Sequence, residues 1–167
     1  MNELITLADV NELARPCRCE PDLFARAVDE AQTLDVLNDV GAEIFLKLYE
    51  DPKPAEIATL WNGGTYTDTS GARHFFKGLK TALCYYTYAR ICRASGGVVT
   101  RFDVVTKRDD YSNSADNAKR TALINDVLAC ADAYKLEALK FIQKSNLFPN
   151  ARVKMTNNRV KVRMIGN

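Results

Sequence analysis

Residues 75–112 read FFKGLKTALCYYTYARICRASGGVVTRFDVVTKRDDYS, and the change of pattern inside this stretch decides the fold. From Phe75 to Ala94 the run is aromatic and sparsely charged, and it predicts a helix. A helix that is apolar on almost every face must be buried on almost every face. Tyr85, Tyr86, Tyr88, Arg90 and Arg93 also carry polar tips that need partners, which places this helix at the centre of a helical packing unit or at a subunit contact. Gly96-Gly97 ends it, because glycine tolerates the left-handed conformation in which helices stop. The β-branched run Val98–Thr106 then predicts an extended segment, which closes at Lys107-Arg108-Asp109-Asp110-Tyr111.

On the N-terminal side, Leu4-Ile5-Thr6-Leu7 is a short extended entry, and Asp9 is placed to cap a small helix before Pro16. Glu20-Pro21-Asp22 opens a longer helix, since proline fits the first helical position and acids favour the positive end of the helix dipole. Leu23, Phe24, Ala27, Val28, Ala31 and Leu34 recur at helical spacing, followed by Leu37, Val40, Ile44, Phe45 and Leu48 on one face. Asp35 and Asp39 mark where a break between the two would fall. Pro54 to Leu60 is a third helix, and residues 62–71, rich in Gly, Thr and Ser, read as a loop that brings Phe75 and Phe76 onto the body.

On the C-terminal side, Ser112 or Ser114 opens a last helix to about Lys144, with Ile124, Val127, Leu128, Ala131, Tyr134, Ala138, Phe141 and Ile142 as its apolar stripe. Arg152–Thr156 and Arg159–Ile165 flank Asn157-Asn158, a pair that suits a two-residue hairpin turn. The expected fold class is mainly α: a helical bundle around a central aromatic helix, an extended β arm between the last two long helices, and a C-terminal β-hairpin. The expected organisation is a helical domain over 1–147, with the arm at about 96–111, and a basic hairpin or tail over 148–167.

The 167 residues carry a net charge of only +2, distributed unevenly. Residues 1–60 hold 13 acids and 5 bases, and residues 61–167 hold 8 and 18. After Glu137 there is no acid, but there are seven bases: Lys140, Lys144, Arg152, Lys154, Arg159, Lys161 and Arg163. Two readings stay open. Copies can attract one another head to tail, as in rings and filaments, or folding can interleave the charges within one chain. Alternate basic positions in the tail would bind phosphates, although no aromatic residue follows Phe148 to stack on bases.

Five cysteines rule out a complete set of internal disulfides, and reduced, buried thiols are expected. No apolar run approaches the length that spans a bilayer, and the first residues lack a basic segment followed by an apolar one, so residence in the cytoplasm is expected. The glycine-containing loop lacks the lysine that ends a phosphate-binding loop. His74, the single histidine, has no nucleophile motif around it, so it reads as a loop residue and neither catalysis nor a cofactor or metal is expected.

Several of these segments together are similar to the head–tail connector (head-completion, adaptor or neck ring) proteins of tailed phages and prophages. They are Leu4-Ile5-Thr6-Leu7-Ala8-Asp9, Glu30-Ala31-Gln32 with Leu34-Asp35, Asn62-Gly63-Gly64-Thr65-Tyr66, Gly78-Leu79-Lys80 with Ala82, Tyr85-Tyr86-Thr87-Tyr88-Ala89-Arg90, and Val104 to Ser112. The likeness covers about residues 1–145 and lies in pattern and element order. It implies a structural virion protein of the neck, assembled in the host cytoplasm. Copies, twelve in many such rings, would sit beneath the portal protein, extend the DNA channel and dock the tail or a further neck ring. The arm residues Arg101, Lys107, Arg108, Asp109, Asp110 and Tyr111, with Arg152, Lys154, Arg159, Lys161 and Arg163, are the expected inter-subunit or portal contacts. Non-specific contact with DNA in the channel is compatible with the basic tail, and the alternative function is a free-standing nucleic-acid-binding module that uses it.

Overall fold

Thr6 and Asp9 start the first helix by a reciprocal cap. The Thr6 hydroxyl accepts from the Asp9 backbone N–H, and the Asp9 carboxylate accepts from the Thr6 N–H at 2.8 Å. Asp9 therefore sits in the first turn of the helix, with Thr6 as the cap. From there a computed structural model describes residues 3–94, 98–99, 104–105 and 117–149, with backbone only at 98–99, 104–105 and 117. Among these, the elements are α1 (Leu7–Leu13), α2 (Pro21–Glu30), a π-helical segment (Ala31–Leu37), α3 (Asn38–Val40), α4 (Ala42–Lys47) and α5 (Ala55–Asn62). They continue with β1 (Gly64–Thr67), β2 (Arg73–Phe76), α6 (Leu79–Ala94), β3 (Val98–Val99), β4 (Val104–Val105) and α7 (Asn117–Lys144). The fold is mostly helical, with small antiparallel strand pairs β1–β2 and β3–β4.

Winding explains which apolar residues of the first long helix reach the core. Phe24, Ala27, Val28 and Ala31 are buried as their spacing predicts, but Leu34 is 61% exposed. From Ala31 the backbone bonds i to i+5, and this wider turn advances each residue less around the axis. Leu34 is rotated outward, while Gln32 and Val36 are rotated inward. Gln32 is fully buried and satisfied: its Oε1 accepts from Leu4 N–H at 2.8 Å and its Nε2 donates to the Tyr49 hydroxyl at 3.1 Å. The break in the helix falls at Gly41 (φ 85°), not at Asp35 or Asp39. Beyond it Ile44, Phe45 and Leu48 are buried, as is Val40 before it.

The stretch expected to be a loop contains a hairpin, and the aromatic helix starts later than its composition predicts. Gly64↔Phe76 and Thr67↔Arg73 bound the β1–β2 pairing, so Phe75 and Phe76 belong to a strand. Alternation decides this: Tyr66, His74 and Phe76 face the body, while Thr65, Thr67, Arg73 and Phe75 face outward. Phe76 stacks on Phe141 of α7 at 4.8 Å, and Tyr66 meets the same ring edge-on at 5.1 Å. Phe75 remains 63% exposed.

The helix α6 packs along α7 and against α1, α2, the π segment and α5. Leu79, Ala82, Leu83, Cys84, Tyr86, Thr87, Ala89 and Ile91 are all buried, which accounts for nearly every face of it. On α7 the expected stripe is buried at Ile124, Val127, Ala131, Ala138, Phe141 and Ile142, with Leu128 and Tyr134 partly buried against the same core.

Two glycines form the neck between α5, the hairpin and α6. Gly63 (φ 81°) and Gly78 (φ 85°) lie so close that a Cβ on Gly63 would stand 2.5 Å from Gly78 N, and one on Gly78 would stand 2.4 Å from Trp61 O. Both obstacles are backbone, which cannot swing away. Gly63→Ala and Gly78→Ala are each expected to cost about 3 kcal/mol or more, from left-handed strain plus the clash. Thermal unfolding should register this as a fall in Tm of roughly 10 °C for a chain of this size. Gly71→Ala, at the hairpin tip with open space around its Cβ, should lose only the strain component of about 1 kcal/mol.

Candidate functional site

Arg120, at the start of α7, reaches back to the last carbonyls of α6. Its Nε donates to Cys92 O at 3.1 Å, and its Nη2 donates to the same oxygen and to Arg93 O at 3.3 Å. The final carbonyls of a helix lack partners within it and carry its negative dipole end, so a guanidinium satisfies both needs. The end of α6 and the start of α7, on either side of the segment 95–116, are thus tied together. Within that segment Val98 pairs with Val105 and Val99 with Val104, antiparallel. The expected contact residues Arg101, Lys107, Arg108, Asp109, Asp110 and Tyr111 lie outside the described residues. So do Arg152, Lys154, Arg159, Lys161 and Arg163, together with the expected C-terminal hairpin.

A charged seam joins the acidic front of the chain to its basic back, the interleaving left open by the sequence, through pairings that the sequence reading did not name. Arg90 of α6 binds Asp35 through Nε (2.9 Å) and Nη2 (2.8 Å), and Glu30 through Nη1 (2.6 Å). Lys135 of α7 pairs with Asp39 at 2.6 Å, donates to Asp35 O at 3.1 Å and lies 5.0 Å from the centre of the Tyr86 ring. The Tyr86 hydroxyl donates to Asp132. Lys80 pairs with Asp9 at 2.6 Å, and Arg15 with Asp126. Three cations from the second half, Lys80, Arg90 and Lys135, are therefore engaged by carboxylates of the first. Burial pushes the Asp35 carboxyl above the usual range, and the pull of Arg90 only partly offsets it. The signal available in the sequence was Lys135, which falls on the same helical face as Ala131, Ala138 and Ile142. A cation on a buried stripe has to meet a counter-charge.

Asp68 builds the tip of the β1–β2 hairpin. One carboxylate oxygen accepts from Ser70 Oγ (2.6 Å), Ser70 N–H (2.8 Å) and Ala72 N–H (3.0 Å), and the other lies 2.8 Å from His74 Nε2. The Ser70 hydroxyl and the His74 ring hold this carboxyl well below the usual range. His74 is thus a strand residue, stacked on Tyr66 at 5.1 Å. At Asp9 burial raises the carboxyl, but the hydrogen bonds of Lys80 and Thr6 outweigh it and the net shift is downward.

The cysteines are all free thiols, but only Cys84 is buried; Cys17, Cys19, Cys92 and Cys130 are half-buried. Burial pushes the Cys84 thiol up to about 12. Among the described residues no three His, Cys, Asp or Glu side chains gather as a metal site, and no helix is long and apolar enough to cross a membrane. A groove of about 430 Å³ opens between Val40, Ile44 and Glu56 on one side and Leu147, Phe148 and Pro149 on the other.

Residues 35–160 match the model of DUF6712, a family of unknown function, and the chain belongs to that family. The match begins within the π segment, includes the segment between α6 and α7, and runs into the basic tail. No curated protein and no solved structure matches the chain significantly.

Removing Arg90 would strand a largely buried Asp35. Arg90→Ala is expected to destabilise by about 3 kcal/mol, and the pair Arg90→Met/Asp35→Leu by clearly less, as in other partly buried ion pairs. A double-mutant cycle in urea measures both. For pH, the Asp68 and Asp9 carboxyls have folded pKa values below their unfolded ones. Their stabilisation is therefore complete above about pH 4 and is lost as the pH falls further. The stability gap between the wild type and Asp9→Asn/Asp68→Asn should shrink as the pH falls below about 4.

Proposed function

We propose that the protein is a structural subunit of a phage neck, a ring-forming connector between the portal and the tail through which the DNA channel continues. The observation that carries this reading is the segment 95–116. It joins the last two long helices, contains the antiparallel pair Val98–Val99 with Val104–Val105, and is flanked by the end of α6 and the start of α7, which Arg120 ties together. A contact arm suits this position, because the two helix ends from which it would extend are tied to each other by Arg120. The likeness in element order to head–tail connectors supports the same assignment, with a helical bundle around the aromatic helix as the body and a basic C-terminal hairpin as a second contact.

Charge distribution adds to it. Residues 150–167 carry five bases and no acid, and residues 95–116 carry three bases and four acids. The remaining residues hold 15 bases and 17 acids, so the positive excess of the chain lies entirely in its last segment. A basic segment on a slightly acidic body favours heterologous contacts, which close into rings when the rotation between copies permits. The same excess of bases favours a second reading, a module that binds nucleic acid non-specifically.

Electron microscopy of the chain mixed with the portal protein of the same phage or prophage is expected to show a stoichiometric ring that forms only with portal present. Lys107→Glu/Arg108→Glu, and separately deletion of residues 152–167, should abolish or weaken that ring. Failure of any ring to form, together with DNA affinity that falls steeply with salt, would replace the neck reading with the nucleic-acid one.

A further inference from the structure

The outer side of the β1–β2 hairpin sets an exposed aromatic ring between two cations. Arg73, Phe75 and Lys77 are exposed and alternate with His74 and Phe76, which the two-residue period turns towards the body. Among the described residues neither Arg73 nor Lys77 has an ion-pair partner, whereas Lys80, Arg90, Lys135 and Lys140 are all held by carboxylates. The hairpin's own acid is withdrawn from this side. Asp68 accepts from Ser70 and Ala72, lies against His74, and leaves only 9% of its side chain exposed. Across the ladder, exposed Thr65 stands opposite Phe75 and exposed Thr67 opposite Arg73.

This set of groups suits one kind of partner. A guanidinium and an ammonium bind phosphate oxygens, hydroxyls add hydrogen bonds to them, and an exposed ring takes up the face of an unpaired base. An acidic protein surface would meet the cations but leave the ring unused, and an apolar partner would have to desolvate both cations. In a duplex the base faces are already covered by their neighbours, so the ring favours a single strand. At about 3.3 Å per residue, Arg73 and Lys77 lie roughly 13 Å apart with Phe75 midway, which leaves room for a phosphate on either side of one stacked base. The platform is also held in place beforehand. The contact of Gly63 with Gly78 fixes its base, Asp68 fixes its tip, and the rings of Tyr66 and Phe76 seat its inner side on Phe141. Binding therefore has little protein to order.

We propose that the outer face of the β1–β2 hairpin binds single-stranded nucleic acid, with Phe75 stacked on a base and Arg73 and Lys77 holding the phosphates on either side of it. The site goes beyond the neck reading: it needs no ring and uses no residue of the basic tail.

The test is fluorescence anisotropy of a labelled oligothymidylate titrated with the full chain over a range of salt concentrations. Arg73→Gln/Lys77→Gln should weaken binding about tenfold or more and reduce the slope of log affinity against log salt by about 1.4, the share of two phosphate contacts on a single strand. Phe75→Ala should weaken binding at least about fivefold and leave that slope unchanged, while Phe75→Tyr, which keeps the ring, should bind as the wild type does. Circular dichroism would verify that these surface variants stay folded. Phe75→Trp gives a local signal, since Trp61 is buried: its fluorescence should be quenched by the oligonucleotide, and that of the wild type should not. Unchanged affinity in both the charge and the alanine variant, or no quenching at position 75, would overturn the proposal. So would a duplex that binds as tightly as the single strand, or polyglutamate that displaces the oligonucleotide as well as unlabelled oligothymidylate does. A portal-bound ring without oligonucleotide binding at the hairpin sinks this proposal alone, whereas such binding without a ring sinks the neck reading alone.

Discussion

The burial of α6 on nearly all its faces is the constraint to which the rest of the structure answers. Once the helix is surrounded, the guanidinium of Arg90 cannot reach bulk water freely, and the π segment has to present Asp35 and Glu30 to it. Lys135 repeats the demand from α7 and meets Asp39 one turn further along. The wider winding of residues 31–37 is tied to this seam. It brings the buried amide of Gln32 between Leu4 and Tyr49 on one side while Asp35 faces Arg90 on the other. A buried ion pair is weak evidence of net stability, because desolvation cancels much of the attraction.

A second constraint, purely steric, sets how the hairpin meets the body. The backbones at Gly63 and Gly78 approach more closely than any side chain allows. That contact places Phe76 and Tyr66 on Phe141 and fixes the direction in which α6 departs. Asp68 then closes the far end of the hairpin with four hydrogen-bond partners, so neither end depends on the other for its geometry. Phe75 is left outward on the same strand as Phe76 by the two-residue period.

Much of the helical framework could be read in the sequence because apolar spacing is a local property. The α7 stripe from Ile124 to Ile142 and the face from Val40 to Leu48 were both legible, since a straight α-helix maps spacing directly onto a face. Leu34 was misassigned where that mapping fails, at the change from α to π winding. The hairpin was hidden by composition: Gly, Thr and Ser around Tyr66 resemble a loop, and β1 has only four residues in which alternation can be seen. The expected site residues in the arm and tail all lie outside the described residues, while the Arg120 clamp at the arm's base was not anticipated.

Local chemistry alone determined that a helix opens at Pro21 and which side chains seek burial; the cap at Thr6, the break at Gly41 and the start of α6 after Gly78 emerged only in the structure. It also determined that the positive excess lies in the last segment. Only the tertiary structure decided the partners. Whether Lys80, Arg90 and Lys135 attract a neighbouring copy or acids of their own chain depends on which elements pack together, over separations of up to about a hundred residues. Coulomb attraction carries no address in the sequence; packing supplies it by bringing two charges within a few ångströms and excluding the water that would otherwise screen them.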